Sequence, residues 1–439
     1  MKKIKRRAYS ALILALVVVA GLGIYVSRML TNGQEWATFK GNETIYENGM
    51  LKSGTVYDRY GLVLAGFADG NRIYAEDATV RTSSLHAVGD FAGNIGTGAV
   101  TVFSDSLVGY DVITGLSNPE GGQIHLSIDS RLNAAAYNAL AGRRGAVIVY
   151  DYLDGGIICM VSAPSYDPMN IPDLSTPEYE GVYLNRCISS TYTPGSVFKI
   201  VTLAAAIENI DDLYSRAFWC GGSVDVLGVN IKCSGNHGSQ TIEQAFSNSC
   251  NCAFAELSLE LGGDTLEKYA VKFGLLDQLQ YDGILTAAGR YDKDVAGSPG
   301  LAWSGIGQYN DLVSPYAMMR LCGAIGAGGE VTEPHLLLDS TSDSSRIIKA
   351  DTAQKLRDMM NYNVVNGYGS WNFPDLKLCA KSGTAEVGDG TSHAWFTGFL
   401  DDAEHPYAFA VIVENAGGGL THAGSVANIV LQEAVKPAQ

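Results

Sequence analysis

In Thr193-Pro194-Gly195-Ser196-Val197-Phe198-Lys199, a proline and a glycine interrupt regular structure directly before a segment with helical spacing, residues 197–208. Ser196 is therefore expected at the start of a helix, with Lys199 about one turn further on the same face. A serine hydroxyl is a weak nucleophile, and a lysine whose pKa is lowered by burial can act as its base. Backbone N–H groups at a helix start also favour negative charge developing on an oxygen. The stretch predicts a nucleophile and its base.

Two segments further along the chain offer the other groups that such a site needs. Ser249-Cys250-Asn251, at a predicted turn or helix junction, offers a hydroxyl and an amide that can relay a proton and hold a peptide. Lys381-Ser382-Gly383-Thr384 ends an apolar run that predicts a strand. Its lysine is a second cation that would lower the pKa of the first, and its glycine would let a substrate backbone lie close to the strand.

Each of the three segments has an ordinary structural explanation when it is taken alone. These explanations are a capped helix with a solvated lysine, a side-chain turn and a lysine on an edge strand. A second S-x-N, Ser234-Gly235-Asn236, also occurs. The presence of all three segments in one chain, in one order, favours a single active site. The surroundings of Ser196 do not fit G-x-S-x-G, which argues against a Ser-His-Asp hydrolase.

Composition and charge narrow the possible partners. The chain has 439 residues, 46% hydrophobic residues and a formal net charge of −16, which fits a folded protein and argues against a nucleic-acid partner. Basic side chains nevertheless crowd residues 1–7, and residues 8–26 carry no charge. As a helix this run would reach roughly 28 Å, close to the thickness of a bilayer core.

We therefore predict a cytoplasmic tail at 1–7 and an uncleaved single-pass anchor at 8–27 in the bacterial cytoplasmic membrane. The rest of the chain would lie outside the cytoplasm, because basic flanks stay inside. The alternative is a cleaved signal peptide, but the apolar run is longer than the usual ~7–15 residues.

Among the 8 cysteines no zinc spacing is found. Cys220 and Cys233 flank a predicted hairpin and form either a disulfide or two free thiols, whereas the other six are expected to fill core space.

The order of predicted elements indicates an α+β fold. Residues 28–122 are glycine-rich, with short runs such as Thr55-Val56-Tyr57 and Ala99-Val100-Thr101-Val102, and predict a small β-rich module near the membrane. Residues 123–439 predict strands at both ends and helices between, which is typical of an antiparallel sheet packed by helices. The predicted strands are 123–128, 145–150, 157–161, 377–385, 394–400 and 407–413, and the predicted helices include 130–140, with Ser130 as its cap, and 425–434.

The combination S-x-x-K, S-x-N and K-[ST]-G resembles that of the serine enzymes that react with penicillin. Over residues 54–430 the chain is similar to a class B penicillin-binding protein of the short, monofunctional kind (the penicillin-binding protein A type). Four further segments resemble motifs of that family: Gly54-Thr55-Val56-Tyr57-Asp58-Arg59, Leu126-Ser127-Ile128-Asp129, Pro164-Ser165-Tyr166-Asp167-Pro168, and Gly305-Ile306-Gly307-Gln308 with Ser314-Pro315.

This resemblance implies the penicillin-binding fold, a central antiparallel sheet with flanking helices and an all-helical part. It implies a peptidoglycan D,D-transpeptidase that takes stem peptides ending in D-Ala-D-Ala, is acylated by β-lactams, uses no metal or organic cofactor, and works beside a polytopic glycan polymerase. The implied catalytic residues are Ser196 (nucleophile), Lys199 (base) and Ser249 (proton relay). The implied substrate-binding residues are Asn251, Lys381, Ser382, Gly383 and Thr384.

Two other classes of function remain open at this point. A related hydrolase, either a D,D-carboxypeptidase or a β-lactamase, would use water in place of an amine. A non-catalytic β-lactam sensor or cell-wall scaffold would keep the fold without the reaction. Asn251 argues against class D β-lactamases, which resemble this chain but usually have valine there, and the complete set of three motifs argues against an inactive scaffold.

Overall fold

The computed structural model describes residues 1–39, 41–43, 45–47, 50–116 and 120–437, so residues 40, 44, 48–49, 117–119 and 438–439 of the predicted segments lie outside it. The α-helices are α1 Lys2–Ala37, α2 Ala78–Val88, α3 Ala99–Val102, α4 Ser104–Val108, α5 Ser130–Leu140, α6 Lys199–Asn209, α7 Ile242–Ser247, α8 Asn251–Leu261, α9 Gly263–Lys272, α10 Pro299–Ser304, α11 Pro315–Gly326, α12 Ala350–Tyr362 and α13 Ser425–Ala434.

The strands are mostly short, apart from those of one central sheet. They are β1 Tyr46–Glu47, β2 Met50–Leu51, β3 Thr55–Tyr57, β4 Val63–Ala68, β5 Asn71–Tyr74, β6 Gln123–His125, β7 Gly145–Asp151, β8 Ile157–Ala163, β9 Phe218–Cys220, β10 Ser223–Val226, β11 Val229–Lys232, β12 Gly238–Gln240, β13 Gln280–Tyr281, β14 Ile284–Leu285, β15 Glu330–Thr332, β16 Ser344–Arg346, β17 Leu378–Glu386, β18 Ser392–Leu400 and β19 Tyr407–Val413.

The central sheet has the order β17-β18-β19-β7-β8, and all of its neighbouring strands run antiparallel. This confirms the predicted α+β class with strands from both ends of the domain. Strand β7 is the link between the two halves, because it pairs with β8 on one side and with β19 on the other. Strand β17 lies at one edge of the sheet, and its outer side borders the cavity described below.

Both faces of this sheet are covered, which explains why β7, β8 and β19 are apolar at nearly every position. On one face α11, whose twelve residues are all buried, packs against β7, β18 and β19. On the other face lie α5 and α13, which pack against each other, and α5 also packs on β8. Alternate residues of β7 accordingly belong to two separate apolar clusters, Ala146 and Ile148 to one and Val147 and Val149 to the other.

The all-helical part surrounds α6. Every residue of α6 from Lys199 to Ala206 is buried, and the helix packs against α8, α9 and α12. A helix that is enclosed on all sides needs apolar residues around its whole circumference, and the run of isoleucine, valine, leucine and alanine supplies them. The start of α6 is thereby held rigidly beside the edge strand β17.

A second sheet, of order β5-β4-β3-β6, lies in the N-terminal part. Here β6 pairs in parallel with β3, so residues on either side of position 122 share one sheet, and α2 packs on α5 and β8 of the following part. The boundary at 122 stays a prediction. Two residues of the family-like motifs join the parts: Asp58 accepts a hydrogen bond from the Ser130 hydroxyl (2.7 Å), and Asp167 forms an ion pair with Arg81 (2.7 Å).

Two local predictions were wrong. Ala99–Val102 is a helix, although its β-branched residues favour a strand. The N–H groups of Thr101 and Val102 bond to the Gly98 carbonyl, and the Thr101 hydroxyl bonds to the Ile95 carbonyl, so local contacts override that preference. The cap of α5 is Asp129, whose carboxylate accepts from two N–H groups at the helix start, whereas Ser130 is the first helical residue.

Helix α1 is longer than the predicted anchor and continues to Ala37. It is long and apolar enough to cross a membrane, and its apolar side chains, such as Leu14 (66% exposed) and Val19 (66%), are uncovered by the rest of the protein. These features are compatible with a single-pass membrane anchor.

Candidate active site

Ser196 lies in a tight 3₁₀ turn, Gly195–Phe198, that leads directly into α6. Gly195 has φ +55°, and a Cβ there would lie 2.8 Å from the Thr384 carbonyl oxygen, so only glycine fits. The Gly195 N–H donates to the Gly307 carbonyl (2.7 Å) and fixes the turn. The half-buried Ser196 is therefore held beside β17 and opens into a cavity.

The Ser249-Cys250-Asn251 segment forms the junction between α7 and α8, as predicted. Ser249 adopts the left-handed conformation (φ +50°), which is uncommon for a residue other than glycine. The chain reverses here, and α8 begins at Asn251. Strained backbone of this kind is often found at functional sites, and here it places the serine and the asparagine beside one amine.

That amine belongs to Lys199, which is fully buried. Its Nζ donates to the Ser249 carbonyl (2.6 Å), the Ser249 Oγ (3.2 Å) and the Asn251 Oδ1 (2.8 Å). Burial disfavours the charged form and lowers the pKa of Lys199 from 10.5 to about 8. At neutral pH a useful fraction of this lysine can lose its proton, as a general base must.

Lys381 contacts the same hydroxyl. Its Nζ donates to the Ser249 Oγ (3.0 Å) and to the Ser382 carbonyl (2.9 Å). It is also fully buried, and burial followed by the nearby charge of Lys199 lowers its pKa well below 10.5. The expected proximity of two lysines is thus present, but burial is a larger cause of the pKa shift than their mutual repulsion.

The outer edge of β17 is held by a residue that sequence reasoning missed. Tyr368 accepts a hydrogen bond from the Ser382 N–H (2.6 Å) and donates to the Ser382 Oγ (2.9 Å). Since pairing alternates along an antiparallel strand, Thr384, two residues on, also directs its N–H away from β18 and toward the cavity. The Thr384 Oγ1 accepts from the Gly419 N–H (3.2 Å). No motif marks Tyr368, because its role depends on a distant segment.

Gly383 has different surroundings from those expected. A Cβ at this position would lie 3.0 Å from the Pro194 carbonyl, 3.1 Å from Val197 and 3.2 Å from Trp395. The glycine therefore lets the turn that carries Ser196 pack closely on β17, whereas the sequence suggested close packing of a substrate.

One cavity of about 320 Å³ joins these groups. It is lined by Ser196, Lys232, Cys233, Ser234, Ser249, Asn251, Ser382, Thr384 and Glu386. A contiguous space of about 310 Å³ shares Ser196 and Thr384 and extends to Trp303 and Gln308. The two buried lysines both donate to the hydroxyl of Ser249, which lines the cavity. The six predicted side chains therefore surround one pocket: Ser196, Lys199, Ser249, Asn251, Lys381 and Thr384. Lys232 and Glu386 carry no sequence signal, since single surface charges are common.

All eight cysteines lie in the described part of the chain, and all are free thiols, so the Cys220–Cys233 disulfide is not formed. The hairpin predicted between them is present as β10–β11. The other six thiols are buried in the core, as predicted. Two of them, Cys250 and Cys252, also lie next to Cys233 and Cys220, respectively, beside the active-site cavity.

Comparisons with known proteins agree with this geometry. A family model described as "Penicillin binding protein transpeptidase domain" matches residues 145–436. The peptidoglycan D,D-transpeptidase PbpA of Mycobacterium tuberculosis is 28% identical over 354 residues, which cover 72% of this chain and 71% of that protein.

Two solved structures have the same fold. The penicillin G acyl-enzyme complex of penicillin-binding protein A from M. tuberculosis is 25% identical, with a TM-score of 0.75, and the match covers 88% of this chain and 100% of that one. The D,D-transpeptidase domain of a peptidoglycan glycosyltransferase from Eggerthella lenta is 26% identical, with a TM-score of 0.72, over 88% of this chain and 98% of that one.

Proposed function

This chain belongs to the penicillin-binding protein transpeptidase family, as a class B member of the PbpA type, and we propose that Ser196 is the nucleophile with which it cross-links peptidoglycan stem peptides. It is a serine-type D,D-transpeptidase that is acylated by β-lactams. The observation that carries the assignment of residues is that one hydroxyl, Ser249 Oγ, lies between two buried amines at a cavity that Ser196 lines.

In the first step Ser196 Oγ attacks the carbonyl carbon of the penultimate D-Ala of a donor stem. Lys199 in its neutral form takes the hydroxyl proton, since its pKa near 8 makes that form available. The C–O bond of the ester forms, the peptide C–N bond breaks, and the terminal D-Ala leaves. A β-lactam is attacked in the same way, and its amide bond opens while the leaving nitrogen stays attached.

Ser249 is suited to deliver the proton that the leaving amine needs. A serine hydroxyl has one proton to donate and two acceptor lone pairs. Lys199 and Lys381 both donate to this oxygen, which leaves the hydroxyl proton free to point into the cavity. The proton from Ser196 thus passes through Lys199 and Ser249 to the leaving nitrogen, so no charge needs to accumulate.

The substrate is held by both sides of the cavity. The N–H groups of Ser196 and Thr384 would bind the developing oxyanion, because both residues line the cavity in which the carbonyl is attacked. Thr384, with Lys381 and Ser382 behind it, receives the terminal carboxylate. Asn251 binds the stem amide and also fixes Lys199, whose ammonium donates to its side-chain oxygen. Gly383 acts indirectly, by allowing the close packing of the Ser196 turn.

In the second step an amine of a neighbouring stem attacks the ester and restores the Ser196 hydroxyl.

The enzyme would be held in the bacterial cytoplasmic membrane by α1, with its basic tail inside and the active site outside the cytoplasm. Acyl transfer between peptides builds no glycan strand, so we expect a polytopic glycan polymerase to work beside it.

The function is tested by incubating the full-length chain in detergent with a defined donor stem and an amine acceptor. We expect mass spectrometry to find free D-Ala and a cross-linked dimer in equal amounts. Donor hydrolysis with no dimer at saturating acceptor would instead indicate a carboxypeptidase, and rapid turnover of a β-lactam would indicate a lactamase.

A further inference from the structure

Four side chains of the kinds that bind metal ions, three cysteines and one histidine, lie close together at the Ser249-Cys250-Asn251 turn. They come from separate elements: Cys220 ends β9, Cys233 follows β11, His237 precedes β12, and Cys250 lies in the turn itself. Their donor atoms all lie within 4.8 Å of one another. Cys220 and Cys250 are buried, and the other two are partly exposed.

Two of the separations, both made by Cys233, match those of a tetrahedral zinc site. Bond lengths of about 2.3 Å for Zn–S and about 2.0–2.1 Å for Zn–N place neighbouring ligands about 3.8 Å (S to S) and about 3.6 Å (S to N) apart. The observed distances are 3.9 Å between the Sγ atoms of Cys233 and Cys250, and 3.6 Å between Cys233 Sγ and His237 Nδ1. A disulfide requires about 2.05 Å, so neither this pair nor Cys220 and Cys252, at 3.5 Å, is bonded.

The chemistry of the donors also favours zinc. Three thiolates and one imidazole are a usual ligand set of structural Zn²⁺ sites, whereas Mg²⁺ and Ca²⁺ prefer oxygen. The Asn251 N–H donates to Cys233 Sγ (3.2 Å), as supporting groups around zinc-bound thiolates commonly do. Cys252 lies beside Cys220 but outside the group of four, so we place it next to the ligands and not among them.

We propose that Cys220, Cys233, His237 and Cys250 bind one structural zinc ion. On binding, the three thiols release their protons to solvent and the sulfur atoms become ligands, with no change of oxidation state. The ion ties the β10–β11 hairpin to the turn that carries Ser249 and Asn251. Since both of those residues contact Lys199, the metal would fix the orientation of the base and increase the rate of acylation.

The test uses the full-length chain purified in detergent under reducing conditions, with metal content measured by inductively coupled plasma mass spectrometry. We expect about one zinc per chain, and near-zero zinc in Cys233→Ser and Cys220→Ser. Two matched controls should keep the metal: Cys252→Ser, next to the site, and Cys322→Ser, far from it, whose thiol contacts the Thr397 hydroxyl. Cobalt in place of zinc should give thiolate-to-metal charge-transfer absorption in the wild type and in both controls, and this absorption should be lost in Cys233→Ser and Cys220→Ser.

Removing zinc from the wild type with a chelator should lower the thermal unfolding midpoint, and added zinc should restore it, so the proposal remains testable if the serine variants fail to fold. Wild-type protein that takes up no zinc and keeps all thiols titratable would overturn the proposal. So would two disulfides, detected by mass under non-reducing conditions, or loss of zinc in Cys252→Ser. These readouts are independent of transpeptidation, and a failure of the proposed function would leave them unchanged.

Discussion

At the level of single residues, the site depends on burying two lysines that share one hydroxyl. Lys199 and Lys381 are fully enclosed, yet each has at least two oxygen acceptors, which offsets part of the cost of removing an ammonium group from water. The sequence motifs identified both lysines. Their burial, and the support that Tyr368 gives to Ser382, arise from long-range packing that no local pattern encodes.

The pKa of Lys199 predicts how acylation depends on pH. In the proposed mechanism only neutral Lys199 takes the Ser196 proton, so the rate constant for acylation by a penicillin should rise with pH and reach half its maximum near pH 8. Stopped-flow measurement of acylation between pH 6 and 9 checks this. A rate that is flat or falls with pH over this range would exclude Lys199 as the base.

Asn251 offers a second test, because it accepts from Lys199 and donates to the Lys232 carbonyl (2.8 Å). A hydrogen bond to a charged group contributes about 1.5–3 kcal/mol, so Asn251→Ala should slow acylation about 10- to 100-fold. The control is Asn248→Ala, which removes an exposed asparagine that bonds to Gln240 in the same turn region. Equal rates for the two variants would contradict the role given to Asn251.

At the level of elements, the strands of the central sheet were the most predictable part. Strand β19 and helix α13 have the predicted bounds. The strand is a continuous apolar run between polar residues, and the buried residues 426, 427, 430 and 431 of the helix follow helical spacing. The strand predicted at Ala99–Val102 was wrong because four residues are too few to distinguish the periodicity of a strand from that of a helix. The cysteine cluster was missed because its ligands come from separate elements at irregular spacing, and only folding brings them together.

Gly307 shows how one element positions another. It has φ +75°, and a Cβ there would lie 2.1 Å from the Gly195 carbonyl oxygen and 2.7 Å from the Phe198 Cβ. Gly307→Ala should therefore displace the Ser196 turn, slow acylation and lower the melting temperature. Gly328→Ala is the matched control, since Gly328 has φ +69° but open space around it, and only the backbone strain of about 1–3 kcal/mol applies. Equal losses in stability and unchanged acylation in both variants would contradict this account.

At the level of the whole molecule, the central sheet and the helical part form the two walls of the cavity, and neither covers the apolar stretch of α1. The two walls were predictable as a fold class, but their closeness depends on glycines such as Gly195 and Gly383, which let the Ser196 turn lie against β17. The exposed apolar surface of α1 has no partner among the residues that the structure describes, and a bilayer would cover it.

The anchor can be tested by fractionation of cells. We expect the full-length chain to stay with the membranes after alkaline carbonate extraction, because a spanning helix is held by its apolar surface. A variant without residues 2–30 should be recovered in the soluble fraction and still bind penicillin. Carbonate release of the full-length chain, or membrane retention of the shortened one, would argue against a spanning helix.

The most direct test of the central claim is to map the acylated residue. Full-length protein in detergent is incubated with benzylpenicillin, digested and analysed by mass spectrometry. The account predicts one adduct, on the peptide that contains Ser196, and none in Ser196→Ala protein with an unchanged circular dichroism spectrum. An adduct on another residue, or on the folded alanine variant, would contradict the assignment of Ser196 as the nucleophile.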